Sequence, residues 1–200
     1  MSFTNTLRLG VLLAALAIFA GTAAAQGSCS SCTTVSSNLT LSATAQTAVQ
    51  LVISTGSGGG TVTDGGSGAY TVSFGNVNGL GIGTPTSGVS VSASGSGATY
   101  TTPINVTPNF SGFANSTATV TIYQDATTSA NSQSAAREGS AAGSVASVPT
   151  TSGSANTVSA TASTATAITR YVGVFVSNVN GGSAVTGSLA PKFIYSVTVN

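Results

Sequence analysis

Two hundred residues carry four Lys/Arg, three Asp/Glu and no histidine. So few charges exclude the clustered Lys and Arg of a nucleic-acid footprint and the polybasic patch of a membrane-surface protein. The lack of histidine removes Ser-His-Asp and Cys-His catalysis, and with two cysteines it leaves a zinc site short of ligands.

The chain opens with the three parts of a secretory signal. Arg8 is the positive n-region, Leu9 to Ala20 the apolar stretch, and Ala23-Ala24-Ala25 the small-residue cleavage site. Residues 1–25 are therefore expected to be removed, giving an exported mature chain that starts at Gln26 and has no integral membrane segment. Without Arg8, three basic and three acidic residues remain and the mature chain is formally neutral. Residues 26–37 form a flexible lead containing Cys29 and Cys32 as "CSSC". No β-α-β pattern follows to support redox chemistry, so in an oxidising compartment a disulfide, within or between chains, is the expectation.

From Asn38 to Ser54 the odd positions read Leu39, Leu41, Ala43, Ala45, Thr47, Val49, Leu51, Ile53, with mostly polar residues between. A period of two this long means extended backbone with one apolar face. Residues 38–54 are thus a first strand of the domain or a strand that reaches beyond it. "GSGGG" and "DGGSG" then mark turns, Asp64 sitting in the second. Tyr70, Val72 and Phe74 alternate, as do Val89 and Val91. Tyr100, Ile104 and Val106 follow, with Pro103 arguing for a strand edge or bulge. Val120 and Ile122 make a short strand with a polar outer face.

Asp125 to Ala167 reads as surface loop, with a turn of helix and a faint outer strand at Thr157 to Thr166; Arg137-Glu138 is expected to be a solvated pair. Tyr171 to Val176 is apolar on both faces, which suits a central strand. Short strands near Ala184 to Leu189 and at Phe193 to Val199 complete a set of roughly eight to ten. Gly-rich turns between short strands, with no convincing helix after the signal, predict an all-β fold: a single β-sandwich, Ig-like or pilin-like, over 38–200.

No enzymatic role or cofactor is expected. Asp64, Asp125 and Glu138 are the entire carboxylate supply of the side chains, and each has an ordinary turn or surface explanation. Lys192, the sole lysine, is either an isopeptide former or a charged gatekeeper before the last strand. The stretches "VQLVIS", "YVGVFVS" and "FIYSVTVN" combine high β-propensity with low charge, and the chain has few charges to guard exposed edges.

In this respect the exported, neutral, Gly/Thr/Ala-rich chain, with its alternating N-terminal segment and terminal strand, resembles bacterial pilins, the fimbrial subunits joined by donor-strand exchange. The resemblance implies a structural subunit of an extracellular, cell-surface filament or coat that self-associates into a polymer. It leaves room for a periplasmic chaperone and outer-membrane assembly machinery as partners. Carried onto this sequence it makes Leu39, Leu41, Val49, Leu51 and Ile53 the donor side chains. Phe193, Tyr195, Val197 and Val199 then border the acceptor groove. The alternative, from another class, is a monomeric adhesin-like module for carbohydrate or a host partner, with Tyr100, Phe110 and Phe113 as candidate contacts.

Overall fold

A computed structural model describes residues 42–178 and 188–200 of the chain. The signal segment, Cys29, Cys32, Leu39, Leu41 and residues 184–187 of the strand expected near Ala184 to Leu189 lie outside the described residues. The chain divides into Met1–Thr44 and Ala45–Asn200, and the second unit holds the fold.

That unit is all-β and antiparallel. Its strands are β1 (Ala48–Thr55), β2 (Val62–Gly66), β3 (Ala69–Val72), β4 (Ser90–Ser94), β5 (Gly97–Ser111), β6 (Thr117–Gln124), β7 (Ala136–Gly139), β8 (Asn156–Ser163), β9 (Ile168–Ser177) and β10 (Phe193–Val199). One six-residue helix, α1 (Ala130–Ala135), precedes β7. No helix among the described residues is long and apolar enough to cross a membrane.

The fifteen-residue strand β5 organises the first sheet. Along one edge it pairs with β4 through its first residues and with β1 through its last; along the other it pairs with β9, which in turn pairs with β7. Pro103 sits in the middle of this central strand rather than at an edge. Its carbonyl accepts from Gly56 N, so its missing N–H also faces the side where β4 has ended and β1 begins. The proline is tolerated because it occupies the one gap in that ladder.

A second sheet has the order β10-β6-β8, and β2 and β3 form a separate hairpin. Along β6 the alternation is complete: Ala118, Val120, Ile122 and Gln124 are buried, while Thr117, Thr119, Thr121 and Tyr123 are only partly so. Ile104 and Val106 of β5, Val172 of β9, Val120 of β6 and Ala162 of β8 form one core cluster, so both sheets feed a common apolar interior. A second cluster, Ala98, Tyr100, Val174 and Val176, extends it along β5 and β9.

Two sequence expectations fail between Asp125 and Ala167. The stretch is not simply surface loop: Ala136–Gly139 is a strand with three buried residues. Nor is Glu138 a solvated partner of Arg137. It is 5 % exposed and takes a bidentate pair from Arg170, whose Nε and Nη2 lie 2.5 and 2.9 Å from its two oxygens. Glu138 lies opposite Val172, so Arg170 is its diagonal cross-strand neighbour on β9. Arg137 points to the other face, its guanidinium 5.0 Å from the Phe175 ring centroid.

Candidate functional site

One opening among the described residues lies beside β10. A cavity of about 880 Å³ is lined by residues 68–77 on one side, Ser188 to Phe193 and Tyr195 on another, and Ile53, Ile104, Val172 and Val174 from the first sheet. Its apolar lining is continuous with the core, because Ile53, Val72, Phe74, Phe193 and Tyr195 also pack against the main cluster. The volume is that of a large ligand site.

The strand beside this cavity has one partner. Phe193 to Val199 pair with β6, and no ladder forms on the other edge among the described residues. Lys192 O accepts from Asp125 N and Asn200 N donates to Thr117 O, so the even-numbered residues of β10 direct their amides at β6. By the alternation of an antiparallel pair, Phe193, Tyr195, Val197 and Val199 direct theirs at the unpaired edge. Their side chains meanwhile turn to the core, where Phe193, Tyr195 and Val197 pack. The edge is therefore open in backbone terms while its side chains are anchored.

Three polar groups brace β10. Tyr195 Oη lies 3.4 Å from Glu138 Oε1, which ties β10 to the Arg170–Glu138 pair of the other sheet. Burial pushes the Tyr195 phenol well above its usual pKa, and the Glu138 charge adds to it. At the start of the strand Lys192 Nζ is 2.8 Å from Asp125 Oδ2, the lysine side chain mostly exposed and that of the aspartate largely covered. Together with the Thr127 hydroxyl and amide it holds the Asp125 carboxyl below the ordinary carboxylate range. At the far end the Asn115 amide donates to Asn200 O.

The other residues singled out in the sequence fall as follows. Val49, Leu51 and Ile53 lie in β1, paired along β5 of their own chain; Leu51 and Ile53 pack into its core, and Val49 is exposed. Of the two readings for 38–54, the part from Ala48 onward occupies a first-strand position. Tyr100 is fully buried, so it cannot meet a surface ligand; Phe110 is half-buried opposite Val49, and Phe113 is exposed. Asp64 accepts from Gly66 N at the β2–β3 turn. Sequence reasoning missed the Glu138–Arg170–Tyr195 contact, which spans 57 residues and leaves no local pattern.

Comparison with protein-family models, with curated proteins and with solved structures finds no match to this chain. The functional reading therefore stands on the geometry of the groove and its edge.

Proposed function

We propose that this chain is a sandwich-type structural subunit of an extracellular filament or surface coat, exported after loss of residues 1–25 and joined to its neighbours by strand complementation. The observation that carries the reading is the juxtaposition of an apolar groove with the unpaired edge of β10. An extended segment laid there gains main-chain hydrogen bonds from Phe193 to Val199 and pockets for alternate side chains from the core beneath. A secreted monomer would guard such an edge with charge or proline; Phe193–Val199 carries neither, Pro191 and Lys192 standing just before it with the lysine paired.

The occupant is the segment before β1 of another copy. Because Leu51 and Ile53 fill their own core, the donor face reduces to Leu39 and Leu41, followed by the small residues Ala43 and Ala45.

The test removes residues 26–47, leaving β1 intact, and images the secreted product. Loss of polymer from a folded chain supports the reading, and unchanged polymer refutes it. A synthetic peptide spanning residues 38–47 is then expected to raise the melting temperature of the shortened chain, because it binds only the folded state. A version with Leu39 and Leu41 replaced by Asp should not.

A further inference from the structure

The wall of the cavity across from β10 is also a strand edge. Residues 68–77 line it without a break, so the exposed Thr71 and Ser73 contribute alongside the half-buried Tyr70, Val72 and Phe74. A strand that turned only one face to a space would supply alternate residues. An unbroken run means that the backbone edge itself borders the cavity. β3 pairs with β2 and with no other named strand among the described residues. Alternate residues along it therefore direct their N–H and C=O groups away from β2, with no ladder to receive them.

β3 and β10 stand on the same floor. Val62, Val72 and Phe74 on one side and Phe193, Tyr195 and Val197 on the other pack against one cluster, which includes Ile104 and Val106 of β5 and Val172 of β9. The hairpin and the β10-β6-β8 sheet thus cover the same face of the first sheet, and the cavity separates them over Ile104, Val172 and Val174. Its size is that of a strand. Rise, strand spacing and sheet spacing give about 160 Å³ for one residue of a packed strand, so a cavity of about 880 Å³ holds roughly five or six. The alternating run from Leu39 to Ala45 is close to that length. A strand laid there and bonded to β10 alone would turn half of its own backbone groups toward the hairpin, covered and unpaired, which is costly. The hairpin has the matching need. Two strands by themselves are marginal, and within β2 only Val62 is even partly buried.

We infer that the strand received by β10 also pairs with β3, so that the slot has two edges and filling it joins the hairpin to the β10-β6-β8 sheet as one layer. Pairing of this kind rests on strand complementation as proposed above and gives it a second edge. The recognition is of main chain by main chain on both sides, with the apolar floor setting the register of alternate side chains.

The experiment uses the full chain with Cys29→Ser and Cys32→Ser and reads which strands flank the donor. Opposed residues on neighbouring strands have Cβ atoms about 4.5–5.5 Å apart, so suitably placed cysteines can be oxidised together. Ser42 and Thr44 alternate with the donor's apolar face, as Thr71 does with the inward face of β3 and Ser196 with that of β10. Ser42→Cys or Thr44→Cys is combined in turn with Thr71→Cys and with Ser196→Cys, and the assembled chain is mildly oxidised. Both combinations are expected to give a covalent ladder on a non-reducing gel, and each single cysteine only traces of dimer. A ladder through Ser196→Cys with none through Thr71→Cys overturns the second edge and leaves strand complementation standing. A ladder through Thr71→Cys alone also overturns the inference, because the slot then has one edge. No link from either combination overturns both readings. A Thr71→Cys link closed within one chain supports the second edge and overturns exchange between copies. In parallel, the β3 amides facing away from β2 should exchange at least about tenfold more slowly in the assembly than in the chain lacking residues 26–47. Equal rates there overturn the inference.

Discussion

Replacing Arg170 by Met isolates the brace behind β10. The Glu138 side chain is 2 % exposed and that of Arg170 14 %, so the substitution strands a carboxylate in the interior, with only a 3.4 Å contact from Tyr195 Oη left to it. Breaking a buried pair from one side costs about 3–5 kcal/mol. For a domain of this length each kcal/mol moves the melting temperature by about 2–4 °C, so Arg170→Met should melt roughly 6–20 °C lower. Adding Glu138→Leu removes the stranded charge and should return most of that loss, because an apolar pair of similar volume is close to neutral against a buried ion pair. Urea unfolding of wild type, both single variants and the double variant closes the cycle, with an unchanged m-value as the check that the same surface unfolds. A cost below about 1 kcal/mol for Arg170→Met, or a double variant less stable than the single, would refute the claim that the pair is desolvated and shared between sheets.

Three further outcomes follow from the packing. The Tyr195 phenol is held protonated above its ordinary pKa of 10.0, so the folded chain keeps a proton that the unfolded chain releases. Its contribution is complete below about pH 10 and is lost as pH rises beyond it; Tyr195→Phe should flatten that alkaline loss in a pH series of unfolding curves, and an identical slope would contradict the assignment. Gly173→Ala would drive a Cβ into the carbonyl oxygen of Tyr100 across the β5–β9 ladder. It should abolish folding or secretion, whereas Ala at open Gly143 should be silent by the same assay. Tyr100→Phe leaves Asn78 N–H and C=O without their partner, so it should cost about 1–3 kcal/mol and speed amide exchange at Leu80 and Ile82.

Local alternation was enough to place the strands that lie half-buried on one sheet. Val120 and Ile122 turn inward between Thr119, Thr121 and Tyr123, and Phe193, Tyr195 and Val197 share the core face as their spacing implies. The apolar run Tyr171 to Val176 became β9, flanked by β5 and β7. What the sequence hid was long-range. Ala136–Gly139 carries two charges and no apolar period, and it is a buried strand only because Arg170, 32 residues on, neutralises Glu138. Pro103 looked like an edge marker since nothing local reveals that β4 and β1 meet end to end beside it. The candidate site was half legible: the face of β10 was in its spacing, but its open backbone edge depends on which strands fail to reach it. Tyr100 read as a strand residue and a candidate contact, yet it is fully buried and its hydroxyl holds the backbone of Asn78, 22 residues away.

The central claim concerns four backbone amides. In the chain lacking residues 26–47, amide hydrogen exchange at Phe193, Tyr195, Val197 and Val199 should be fast, because these groups face the unpaired edge, while Ile194, Ser196 and Thr198, bonded to β6, should be protected. In the assembled full-length chain all seven should be slow. Protection of the first four that is the same in the shortened monomer and in the assembly would mean that β10 never receives a strand from its neighbour.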